Sequence, residues 1–218
     1  MFVGLLLLLV ALAEMCLAAF FFFGYRRNQA TLWYGFFSIA VALYVGGNAL
    51  GYLGWLDGRW SEHFAWLGGV STAIFFLPFS LSFPFPRKRV GDLLPIVLWP
   101  LAIFIPGLLF TSAFVLQHGN FNFGSGYATS TGDYFLLLLL FMLVYWTLSI
   151  WNVIRSLNTS QGIHRKYMII ILVGILSSLS FSAIFDIYIP ITHVSHFGYI
   201  GSLFTSIWVA TTSYIILK

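Results

Sequence analysis

Seven apolar stretches, each about the 20 residues a helix needs to cross the hydrocarbon of a bilayer, divide this chain almost from end to end. They run roughly over 2–23, 30–55, 63–84, 93–116, 134–154, 167–189 and 196–217. The connections between them are "GYRRNQ", "LDGRWSEH", "FPRKRVGD", "QHGNFNFGSGYATSTGD", "RSLNTSQGIHRK" and "PITHVSH". Only 7% of the residues are charged, against roughly 25% in soluble domains. Ten basic and six acidic side chains cannot clothe a soluble globule of 218 residues. The expected fold is therefore all-α: a single seven-transmembrane-helix bundle over 1–218, with no soluble output domain.

Charge orients the spans. Arg26, Arg27, Arg87, Lys88, Arg89, Arg155, Arg165, Lys166 and Lys218 fall on one side of the bundle, and only Arg59 falls on the other. Basic residues mark the cytoplasmic side, which predicts an N-terminus outside and a C-terminus in the cytoplasm. The net charge of +4 then reflects topology and attraction to anionic membrane lipids, not a nucleic-acid footprint. The first span lacks a basic leader, holds Glu14 and is followed by arginines, so it reads as a retained helix and not a cleaved signal. The lone Cys16 excludes a disulfide framework.

The familiar membrane chemistries do not assemble. A retinal Schiff base needs a lysine deep in the last span, yet Lys88, Lys166 and Lys218 all sit at cytoplasmic ends. Haem needs histidines within the membrane, and the five histidines read as loop or helix-end residues. Ser125 of "FGSGY" lies in the 117–133 connection, where a short hairpin and an irregular loop are both admissible. No catalytic residue, metal site or cofactor is expected. His193 and His196, at i and i+3, supply at most half of a zinc site, which His63, His118 or Glu62 would have to complete; they read first as interfacial loop residues.

Polar residues inside the spans carry what signal remains. Gly174, Ser178, Ser182 and Asp186 recur every four residues and share one face of the sixth span. Small residues on such a face let another helix approach, and their hydroxyls bond across it. Gly47 and Gly51 of the second span, beside Asn48, follow the same logic. Asp186 reads either as a packing acid or, with Asn48 at similar depth, as part of an outward-facing ligand site that takes in His118, His193 and His196. Glu14 reads either as a neutral packing acid or as a proton relay. Pro78, Pro100 and Pro106 fall inside spans three and four, where each removes a helix hydrogen bond.

The C-terminal third, "GIHRKYMIIILVGIL" leading to "DIYIP" and then "GYIGSLFTSIWVATTSYIILK", resembles the end of the N-terminal seven-transmembrane region of bacterial sensor histidine kinases. "YRRNQATLWYGFFSIAVALYVGGNALGYL" and "FFLPFSLSFPFPRKR" extend the resemblance over nearly the whole chain. Where that family usually carries asparagine before the proline, this chain has Asp186, which makes the position titratable. The family continues into cytoplasmic domains, whereas this sequence holds no phosphoacceptor-histidine helix and no ATP-binding region. Kinase or cyclase activity would then reside outside this chain.

The resemblance implies a sensor in the bacterial inner membrane. It would detect an extracytoplasmic or membrane-borne small molecule, lipid or peptide and signal through spans six and seven to a cytoplasmic domain or protein. A second copy of the chain is a further candidate partner. A small transporter or channel, and a structural subunit of a membrane complex, stand as the alternatives.

Overall fold

The computed structural model describes residues 1–24, 28–56, 58–84, 90–110, 133–188 and 199–217. Among the described residues every regular element is helical, and seven helices are long and apolar enough to cross a membrane. They are α1 (Phe2–Ala19), α2 (Gln29–Leu53), α3 (Gly58–Ser82), α4 (Val90–Phe110), α5 (Phe135–Thr159), α6 (Gly162–Ser182) and α7 (Tyr199–Leu217). Phe20–Gly24 continues α1 as a π-helical turn, and Ala183–Tyr188 does the same for α6.

Several helices outrun their apolar stretches, because hydropathy marks where side chains turn oily and not where backbone hydrogen bonding begins. α3 starts at Gly58, so Ser61, Glu62 and His63, expected in or beside a loop, lie inside the helix and are buried. α5 runs to Thr159 and α6 starts at Gly162. The expected twelve-residue connection shrinks to Ser160 and Gln161, and His164, expected in a basic loop, sits in the first turn of α6. The ends of α2 follow from local chemistry. Asn28 Oδ1 accepts from the Thr31 amide at 2.8 Å while Thr31 Oγ1 accepts from the Asn28 amide at 3.0 Å, a capping box that satisfies two orphan donors. Gly54, at φ 67°, closes the other end in the left-handed conformation.

The bundle is inverted relative to a soluble protein. Trp99 is 72% exposed and Trp151 66%, whereas Ser38, Ser149 and Ser202 are fully buried. Such a surface suits lipid, where backbone groups have to be satisfied within the protein. The chain is a multi-pass membrane bundle.

Sequential helices pack antiparallel. Phe22 lies against Gly35, Ala11 against Gly46 and Leu53 against Gly4, which lays α1 along α2. α2 and α3 cross closely. A Cβ on Gly47 would stand 2.5 Å from the Ala65 amide nitrogen, and one on Gly68 would collide with the Tyr44 backbone. Two glycines on opposite helices thus let the backbones touch. α3 is the most buried span and carries α4 and α5 on its other sides. There the His63 ring donates from Nδ1 to the Leu108 carbonyl of α4. α6 and α7 form the remaining pair, and α7 also rests on α1 and α2.

Candidate functional site

α7 turns most of its serine and threonine hydroxyls inward. Ser202, Thr205, Ser206, Thr212 and Ser213 are all buried, while Ile207 and Tyr214 face outward. Steps of three, four and seven residues place these hydroxyls on one helical face. Three sets of hydrogen bonds join that face to its neighbours. Near the start of α7, Asn48 of α2 donates from Nδ2 to Ser202 Oγ at 2.9 Å. Beside it, Ser178 of α6 and Thr205 share a hydrogen bond of 2.8 Å, with Ser182 at 3.4 Å from the same Thr205 oxygen. Further along, the Tyr34 hydroxyl donates to the Val209 carbonyl at 2.6 Å, and Ser213 Oγ lies 3.1 Å from that phenol.

Between the rungs sits an aromatic anchor. Trp208 fills the notch at Gly174, where a Cβ would collide with its indole Cδ1. Its ring contacts Phe37 at 5.3 Å and Phe76 at 5.1 Å between centroids. One side chain of α7 therefore touches α6, α2 and α3. Several α7 hydroxyls also bond back to their own helix: Ser206 donates to the Ser202 carbonyl at 3.0 Å, and Ser213 reaches the Val209 carbonyl at 2.7 Å. Such back-bonding satisfies a hydroxyl in an apolar setting without demanding a fixed partner across the interface.

The residues singled out in the sequence fall into this frame as follows. Gly174, Ser178 and Ser182 meet α7, and Asn48 meets it from the other side through Ser202. Gly47 serves the α2–α3 crossing instead, and Gly51 is buried near the end of α2, its carbonyl accepting from the Gly54 amide at 3.0 Å. Asp186 belongs to the π-helical turn Ala183–Tyr188, but its side chain lies outside the described residues, as do His118, His193 and His196. The outward site pairing Asn48 with Asp186 therefore falls in part outside the described residues. The α7 hydroxyls, Tyr34 and Trp208 escaped the sequence reading. Their signal was present: Ser202, Thr205, Ser206, Thr212 and Ser213 recur at steps of three, four and seven residues within the last span.

Glu14 lies on the buried stripe Gly4, Leu7, Ala11, Glu14 and Ala18 of α1. It is 4% exposed, and its Oε2 has no hydrogen-bond partner among the described residues. Among the described residues no three His, Cys, Asp or Glu side chains converge as metal ligands would. The chemistry available is exchange of hydrogen-bond partners along α7, with one buried carboxyl nearby. No protein-family model, no curated protein and no solved structure matches this chain.

Proposed function

We propose that this chain is a membrane-embedded sensor module that passes a signal through α6 and α7 to a cytoplasmic domain or protein, as in sensor-kinase signalling. The observation that carries this reading is the set of hydroxyl rungs joining α7 to α2 and α6. Interhelical hydrogen bonds of this kind average about 0.6 kcal/mol in membranes. A helix held by several of them can trade one set for another at little cost, which is the requirement for a bistable transmitting element. The α2–α3 crossing, where backbone meets backbone at Gly47 and Gly68, supplies a fixed frame. In this reading the N-terminus is outside, Lys218 is cytoplasmic and the membrane is the bacterial inner membrane. The signal, an extracytoplasmic or membrane-borne small molecule, lipid or peptide, acts near the Asn48–Ser202 rung.

A second reading, a small transporter, is favoured by one observation: the buried polar side chains run along α7 from Ser202 to Ser213 with Glu14 beside that helix pair. A fusion separates the two. A histidine-kinase catalytic region joined in frame after Lys218 should show altered autophosphorylation, by several-fold in either direction, when Asn48→Leu or Tyr34→Phe weakens a rung. The lipid-facing Ile207→Ala should leave it unchanged. Equal output from all variants would count against the sensor reading.

A further inference from the structure

Glu14 stands in the middle of α1, on the face that packs into the bundle. The elements packed against that helix are α2, α7 and the π-helical turn after α1. None of these, nor α1 itself, contains a lysine, arginine, histidine or aspartate. The titratable groups they offer are Tyr34, Tyr44 and Tyr52 on α2, Tyr199 and Tyr214 on α7, and on α1 the exposed Cys16 and the terminal amine of Met1. No cation of the surrounding helices faces the Glu14 carboxyl. A buried charge without a counter-charge is not tolerated in an apolar medium, and among the described residues these helices supply none, which leaves a positive charge bound from the surroundings to compensate it. With one oxygen unpartnered and no convergent ligand set among the described residues, the smallest such charge, a proton, fits.

What the group would influence is also visible. Tyr34 is a fully buried phenol of α2, a helix packed along α1, and its ring lies edge-on to Phe21, in the turn that continues α1, at 5.1 Å. That phenol touches both the Val209 carbonyl and Ser213 Oγ. Ser213 has a single hydroxyl proton and two acceptors within reach, the phenol at 3.1 Å and the Val209 carbonyl at 2.7 Å. The cluster therefore has two proton arrangements, and a nearby charge appearing or vanishing favours one over the other.

We propose that Glu14 is a proton-binding site in the interior of the bundle, and that the presence or absence of its proton biases the Tyr34–Val209–Ser213 contacts that hold α7. The inference is independent of the sensor reading, since a transporter would use the same group. The test is infrared difference spectroscopy across a pH titration of the full chain in lipid nanodiscs. The expected result is a protonated-carboxyl C=O band that bleaches as pH rises and is missing from Glu14→Gln. Tyrosine phenol modes should move with it in the wild type and be lost in Tyr34→Phe. Identical difference spectra for wild type and Glu14→Gln would overturn the site. A band that responds to sodium at constant pH, but not to pH, would overturn the proton as its ligand. A Glu14 band that titrates while the Tyr34 modes stay still would overturn the coupling to α7.

Discussion

The Tyr145 hydroxyl donates to the Ile96 carbonyl at 2.8 Å. In an α-helix that carbonyl would accept from the residue four positions on, which is Pro100, and proline has no N–H to give. A side chain of α5 thus completes the backbone of α4 and pins the two helices together. Phe104 against Phe141, 4.5 Å between ring centroids, extends the same contact.

Removing that hydroxyl should expose the deficit. Tyr145→Phe leaves a carbonyl unsatisfied in an apolar setting and should lower thermal stability in detergent by about 1–3 kcal/mol. Pro100→Ala restores the missing N–H, so in the Pro100→Ala background the same Tyr145→Phe change should cost much less. Equal losses in both backgrounds would show that Tyr145 does not serve the proline gap.

The adjacent glycines of α3 should respond in opposite directions. A Cβ on Gly68 meets backbone atoms, the Tyr44 Cα at 2.6 Å and the Ala40 carbonyl oxygen at 2.8 Å, whereas one on Gly69 meets nothing within 4 Å. Gly68→Ala should therefore destabilise by about 1–3 kcal/mol through overpacking. Gly69→Ala should be neutral or stabilising by up to about 1 kcal/mol, through helix propensity alone. Thermal melts of the two single variants decide it, and matching effects would refute the close α2–α3 crossing.

Much of the architecture was legible because a bilayer imposes length. Seven apolar runs had to become seven helices, and the four-residue spacing of Gly174, Ser178 and Ser182 announced a helix contact on that face of α6, though not that α7 makes it. Helix ends were less legible. Glu62 and His63 look like loop residues by charge, yet they are buried within α3, where His63 reaches the end of α4. Nothing local in "GRWSEH" encodes that partner, 45 positions away. The α7 hydroxyls were hidden for a different reason: each is a common helix residue in a membrane span, and their meaning lies in facing Asn48, Ser178 and Tyr34 on other helices. The π-helical turns at Phe20–Gly24 and Ala183–Tyr188 left no sequence mark beyond continuous hydrophobicity.

The Asn48–Ser202 hydrogen bond should be weak. A double-mutant cycle with Asn48→Ala and Ser202→Ala should give a coupling of about 0.6 kcal/mol, with about 1.7 as the ceiling seen for such pairs. A coupling of several kcal/mol would mean α7 is locked in place, which a transmitting helix cannot be.

The nine-to-one split of basic residues between the two sides predicts a cytoplasmic C-terminus. A reporter enzyme active only in the cytoplasm should work when fused after Lys218 and fail when inserted within 117–133. Activity of the 117–133 insertion would invert the bundle and move the proposed signal site to the other face of the membrane.

The central claim is that α7 shifts against a fixed frame, and a distance measurement tests it most directly. With Cys16 replaced by serine, spin labels at the lipid-facing Leu43 of α2 and Tyr214 of α7 report the frame-to-α7 separation by pulsed electron resonance. A second pair at Leu43 and Trp60 reports the α2–α3 frame itself. The account predicts that Asn48→Leu and Tyr34→Phe broaden or shift the Leu43–Tyr214 distribution while the Leu43–Trp60 distribution stays fixed. Unchanged distributions for both pairs in both variants would contradict it.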